Sequence, residues 1–121
     1  MSKRVLIVDD EKPLARALEL KLAYEGLDAK AVYNGNDAIA ELKASKYDVV
    51  LLDLVMPKED GFRVLQDIRT FNIKTLVIVS SNLSQEEDIS RAKSLGAVDY
   101  FVKSDTTLAD VVKKTKAYLA Q

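Results

Sequence analysis

The 121-residue chain contains no cysteine and no histidine. The first absence excludes a disulfide framework and thiolate chemistry. The second excludes a Ser-His-Asp triad, a histidine-ligated zinc centre and a phosphohistidine carrier. No apolar run approaches the ~18 residues of a membrane span. The opening M-S-K-R runs straight into an apolar strand, so no signal peptide is visible. A net charge of −1 gives no argument for a nucleic-acid or membrane surface. Linkers, internal repeats and low-complexity stretches are absent as well. What is left is 48% hydrophobic and large enough for a real core. We expect one domain over residues 1–121, in the cytoplasm, without membrane or direct nucleic-acid partners.

Strands and helices alternate along the chain. Arg4–Val8 is too apolar for a half-exposed strand. Pro13 suits a first helical turn, Leu14, Leu18 and Leu22 recur at fourfold spacing, and Gly26 closes the helix. Asp28–Tyr33 reads as a second strand. Asn34-Gly35 precedes a second helix with Ala38, Ile39 and Leu42 inward. Asp48–Leu52 reads as a third strand, followed by a loop punctuated by Pro57 and Gly61. Asp60 caps a third helix that turns Phe62, Leu65 and Ile68 inward. Thr75–Val79 is a fourth strand. Ser84 with Glu87 predicts a capping box opening a fourth helix, which Gly96 ends. Val98–Val102 is a fifth strand, and a fifth helix runs from about Thr107 with Leu108, Val111, Val112, Thr115 and Leu119 on one face. Five β-α units in series imply an α/β, doubly wound parallel sheet with helices on both faces. The flavodoxin-like order 2-1-3-4-5 puts the topological switch point between strands 1 and 3.

The polar residues gather at one edge of that sheet. Asp9 and Asp10 follow strand 1, Asp53 follows strand 3, Ser80 follows strand 4 and Lys103 follows strand 5. The carboxyl ends of parallel strands are where such folds bind ligands. Three carboxylates there repel each other unless a cation sits among them, and an oxygen-only donor set suits Mg²⁺. A hydroxyl and an ammonium beside the cation complete a site fit for phosphoryl chemistry. Each residue also has a plainer role. Asp10 is a possible helix cap, Lys103 a surface lysine, Ser80 a strand-end hydroxyl and Tyr100 a packing aromatic. Asp60 and Asp105 fit the plain role better.

With these residues in place the chain resembles the receiver domain of two-component response regulators, of the single-domain chemotaxis type. The matching pieces are V-D-D after strand 1, D-L-V-M-P-K-E-D-G after strand 3, Ser80 after strand 4, Lys103 after strand 5 and Tyr100 three residues before it. The resemblance covers essentially the whole chain and implies a role for each position. Asp53 would take a phosphoryl group from a sensor histidine kinase or histidine phosphotransfer protein. Asp10, Asp53 and the Val55 carbonyl would ligate Mg²⁺, with Asp9 acting through water. Lys103 would pair with Asp53 and then with a phosphoryl oxygen. Ser80 would bond the phosphoryl group and Tyr100 would change rotamer with it. A downstream effector would read the face formed by helix 4, strand 5 and helix 5, where Lys93, Asp99 and Lys113 lie. The chain would catalyse its own phosphorylation and dephosphorylation without turning over other substrates.

Two positions depart from the family pattern: Ser81 replaces a small Ala or Gly, and Ser104 replaces a proline whose peptide bond is commonly cis. Val55 and Asn82 flank the route of attacking water. A non-proline cis bond costs roughly 3 kcal/mol, so Ser104 leaves the isomer open. A haloacid-dehalogenase hydrolase would need an acid two residues after its nucleophile, where this chain has Val55. A flavin binder would need an anion-binding loop after strand 1, where this chain has D-D-E-K. A phosphate-independent interaction module would normally have lost one of the five site residues; all are present, which ranks that reading lower without removing it.

Overall fold

The computed structural model describes residues 3–56 and 59–120. Pro57, expected to punctuate a loop, lies outside the described residues. Five strands, β1 (Arg4–Val8), β2 (Asp28–Val32), β3 (Val49–Leu52), β4 (Leu76–Ser81) and β5 (Asp99–Val102), form one parallel sheet. Their order is 2-1-3-4-5, the flavodoxin-like order that the alternating pattern implies. The intervening helices are α1 (Lys12–Tyr24), α2 (Gly35–Ala44), α3 (Gly61–Thr70), α4 (Glu86–Ser94) and α5 (Leu108–Leu119). Among the described residues no helix is long and apolar enough to cross a membrane.

The central strands are apolar throughout because the sheet is covered on both sides. Leu6 and Val8 of β1, Val50 and Leu52 of β3, and Val77 and Val79 of β4 point into one core with Ala38, Leu42, Phe62, Leu65 and Ile68 of α2 and α3. Their neighbours Val5, Ile7, Val49, Leu51 and Ile78 point the other way, against Ala15, Leu18 and Leu22 of α1 and Val111 and Val112 of α5. Each fully buried side chain of this kind contributes about 1.5–3 kcal/mol over an exposed one. That is why β1 and β3, buried at nearly every position, anchor the sheet. The buried Thr115 hydroxyl of α5 is satisfied within its own helix, donating to Val111 O at 2.7 Å.

Helix ends follow the sequence signals with one exception. Asn34 caps α2 by accepting from the Asp37 N–H, and Asp60 caps α3 by accepting from the Phe62 N–H. Thr107 caps α5 through the Asp110 N–H. Gly26 and Gly96 end α1 and α4 with φ of 86° and 112°. The Ser84–Glu87 capping box does not form: α4 starts at Glu86, its N-cap is Gln85, and Ser84 is left exposed in the preceding loop. Three acids in the first turn, Glu86, Glu87 and Asp88, oppose the positive end of the helix dipole instead. β4 is also longer than expected. It runs on through Ser80 and Ser81 because these pair with Phe101 and Val102 of β5.

After β3 the chain makes a two-stranded antiparallel ribbon, Val55–Met56 against Glu59–Asp60, which the sequence did not signal. It returns to Gly61, where the backbones nearly touch. A Cβ on Gly61 would lie 2.4 Å from Leu54 Cα and 2.7 Å from Asp53 O. Gly61→Ala should therefore force apart the segment that carries Asp53. A loss of about 1–3 kcal/mol is expected in urea denaturation, as for other overpacked sites, and a variant as stable as the native chain would show that this segment can yield.

At the opposite edge of the sheet the buried Tyr47 hydroxyl donates to Glu41 Oε1 at 3.0 Å, and the Arg4 guanidinium lies over the ring at 4.4 Å. Burial first, then the Glu41 bond and charge, push the phenol from 10.0 up to about 12. The neutral phenol is thus favoured in the folded state. Its stabilising contribution is complete below pH 10 and is lost as pH rises from there to about 12. Urea melts across this window should show a shallower decline for Tyr47→Phe than for the native chain.

Candidate functional site

Sheet register brings the polar residues together. Val8 pairs with Leu52, and Leu52 with Val79, so Asp9, Asp53 and Ser80 each follow the same ladder row on three adjacent strands. The ladder continues past the strands: Asp53 N–H donates to Val8 O at 2.9 Å and Asp9 N–H to Val32 O at 3.2 Å. Side chains alternate along a strand. By that alternation Asp9, Asp53, Ser80 and Lys103 share the parity of Ile7, Leu51, Ile78 and Phe101, while Ser81 and Tyr100 have the opposite one.

Lys103 leaves β5 two rows further out, at the start of a 3₁₀ turn over Lys103–Asp105. The Lys103–Ser104 peptide is trans. The long side chain spans the extra distance and puts its ammonium 2.7 Å from Asp9 Oδ2, 3.1 Å from Glu11 Oε2 and 3.2 Å from Asp53 Oδ2. Asp9 and Asp53 are 3% and 5% exposed. They are held in the same way: Asp9 Oδ1 accepts from the Glu11 N–H at 2.9 Å, and Asp53 Oδ1 from the Val55 N–H at 3.1 Å. Each buried carboxylate therefore has one oxygen on the backbone two residues ahead and the other on Lys103.

The charges respond to this crowding. Burial raises the pKa of Asp9, against the bond from Lys103. Burial likewise raises that of Asp53, opposed by the Val55 N–H and the Lys103 charge. Burial alone would lower the pKa of Lys103, but the Asp9 bond and the Asp53 and Asp9 charges prevail and raise it. The ammonium gains from several acids, whereas the two buried acids share one ammonium. Lys103 is fully charged, and the carboxylates want further positive charge.

A divalent cation fits that demand. Asp9, Asp10 and Asp53 each offer a carboxylate oxygen, all within 4.8 Å of one another. Hard oxygen donors with room for water match magnesium. Asp10 is not a helix cap, since Glu11 holds the N-cap position of α1 and makes no side-chain cap bond. Asp10 is half-buried, which leaves it available as a ligand.

Ser80 is half-buried at the end of β4. Tyr100 packs on the α4 side, and its hydroxyl donates to Leu83 O at 2.7 Å. The Leu83 N–H in turn donates to Ser81 Oγ at 3.2 Å. The loop between β4 and α4 is thus held at both polar groups of Leu83, by residues from two strands. Glu11 and Leu83 had no marker in the sequence. An acid just before a helix and an apolar loop residue are both common, and only the folded chain gives them partners.

A profile of the response regulator receiver domain matches residues 5–114. The receiver domain of a Francisella response regulator superposes with a TM-score of 0.89 at 28% identity, covering 97% of this chain and 96% of that one. A two-component response regulator from Clostridium difficile gives 0.91 at 26% identity, covering 99% and 98%. The response regulator TrrA from Thermotoga maritima, solved in complex with Mg²⁺ and BeF, gives 0.82 at 30% identity, covering 96% and 98%.

Millimolar Mg²⁺ should raise the melting temperature, because a cation bound to the folded cluster would relieve its repulsion. In Asp10→Asn the rise should be much reduced. Calorimetry giving equal shifts in both proteins would place the cation elsewhere.

Proposed function

Because this chain belongs to the response regulator receiver domain family, we propose that it is a phosphorylation switch of a two-component system, with Asp53 as the acceptor. The observation that carries the reading is the surroundings of Asp53. A buried carboxylate lies 3.2 Å from an ammonium, with one oxygen fixed by the Val55 N–H and two further acids beside it. A phosphohistidine of a sensor kinase or phosphotransfer protein is the donor. An Asp53 carboxylate oxygen attacks phosphorus, the new O–P bond forms as the P–N bond breaks, and the imidazole leaves with the electron pair.

The Val55 N–H and Lys103 fix the attacking carboxylate, so little reorganisation is needed at the moment of transfer. Lys103 then turns an N–H toward a phosphoryl oxygen, a charge-assisted bond of the stronger kind. Asp10, Asp53 and the Val55 carbonyl would hold a magnesium ion, with Asp9 acting through water, and the ion would supply positive charge against the negative charge that collects during transfer. Ser80, in the same ladder row as Asp53 on the adjacent strand, donates its hydroxyl to another phosphoryl oxygen. Tyr100 responds through the β4–α4 loop, and the surface of α4, β5 and α5 changes for a downstream effector. The BeF complex of the Thermotoga relative supports this reading. The switch acts on itself rather than on a stream of substrates, and we place it in the cytoplasm, where its kinase and effector partners are reached without membrane or nucleic-acid contact.

Incubation with acetyl phosphate and Mg²⁺ should add a single phosphoryl group that peptide mass spectrometry maps to Asp53. Asp53→Asn, nearly the same shape but unable to form an acyl phosphate, should fold and gain nothing. Unchanged phosphorylation of that variant would assign the acceptor to another residue. A native chain that stays unmodified would leave a phosphate-independent interaction module.

A further inference from the structure

Lysine has three ammonium donors and no acceptor. In this protein all three are matched, by Asp9, Glu11 and Asp53. A phosphoryl oxygen can therefore recruit Lys103 only by displacing one of these partners. Asp9 and Asp53 are buried, each with its second oxygen already on a backbone N–H. Before the O–P bond has formed both are carboxylates, and stripping the ammonium from either at that stage would leave a buried, under-compensated charge. The Glu11 side chain is 55% exposed, so water can replace the lysine at little cost. The three bonds are unequal in what they cost to break, and Glu11 holds the weakest.

We infer that Glu11 is a positioning residue for phosphorylation: it holds the third donor of Lys103 in the unphosphorylated protein and yields it to the incoming phosphoryl group. The inference rests on the reading of Asp53 as acceptor. Glu11 touches no reacting atom and acts through Lys103. It keeps the ammonium aimed at the site but competes with the phosphoryl oxygen for it. Removing its charge while keeping its shape should therefore speed transfer.

Glu11→Gln suits the test, since the residue is largely exposed, caps no N–H with its side chain and adds nothing to the core. At saturating Mg²⁺ the rate of Asp53 phosphorylation should rise about two- to fivefold, the range set by the worth of a solvent-exposed ion pair. A second explanation, repulsion of anionic donors by a carboxylate at the mouth of the site, is separated by using two donors. Acetyl phosphate carries about one more negative charge at neutral pH than phosphoramidate. Release of Lys103 gives the same gain with both, and the Lys103 Nζ resonance of the unphosphorylated protein should move in the variant. A gain confined to acetyl phosphate assigns the effect to repulsion and overturns the inference, as does an unchanged or slower rate with both donors. A native chain that takes no phosphate from either donor overturns the reading of Asp53 and this inference with it.

Discussion

Asp9 and Asp53 end adjacent strands of a parallel sheet, and both are buried. Two unit charges ~4 Å apart repel by about 4 kcal/mol at the effective dielectric constant of ~20 that suits such sites. Desolvation adds to this, and it is the chief reason both carboxyls stand above their ordinary pKa. The Lys103 ammonium, bonded to both, is what makes the arrangement tolerable. One cation between two buried anions leaves negative charge unbalanced, and Asp10 adds to it. That residue of uncompensated charge favours further positive charge at the site.

The positions of these groups are set by the sheet rather than by the loops. The switch point between β1 and β3 opens the edge of the sheet, and the continuing ladder from Asp53 N–H to Val8 O holds two acids in register. Lys103 starts two rows further out and folds back, a distance that its long side chain spans. Gly61 has a different part. It lets the chain return from the ribbon within contact distance of Asp53 O, so the peptide of the central acid is enclosed on that side. A mutation there would act on the site through the backbone while touching none of its charges.

The alternation of apolar strands with amphipathic helices made the sheet order legible, because a two-sided parallel sheet demands continuous apolar strands and leaves little choice of topology. Asp9, Asp10, Asp53, Ser80 and Lys103 were legible for a related reason: a polar residue that ends an apolar strand stands out. What stayed hidden depended on pairing across the fold. β4 extends through Ser81 because β5 lies beside it. Ser84 matched a capping pattern, but α4 begins two residues later, with its acids facing its own dipole. The trans peptide at Lys103–Ser104 agrees with the local cost of a non-proline cis bond. Glu11 and Leu83 carry no local signal, since their partners lie on distant segments.

Ser80 and Ser81 are adjacent in sequence and face opposite sides of β4, which gives the fold a short route between its two faces. Ser80 has the parity of the acids and Lys103. Ser81 turns to the α4 side, where it accepts from the Leu83 N–H while Tyr100 donates to the Leu83 carbonyl. If Asp53 is phosphorylated as proposed, a pull on Ser80 toward the new oxygens that moves its backbone would also move the peptide it shares with Ser81. Because Ser81 is fully buried and bonded, that shift cannot be absorbed by solvent. It would reach Leu83, and the loop leads within three residues to the first turn of α4. At its other end α4 is tethered by Arg69 of α3, whose guanidinium donates to Ser94 O at 3.0 Å. The helix is therefore tied to α3 at its carboxyl end and, through Leu83, to β4 and β5 at its amino end. On the proposed reading, a charge placed at Asp53 would move α4 as a lever about the Arg69 contact rather than as a free body.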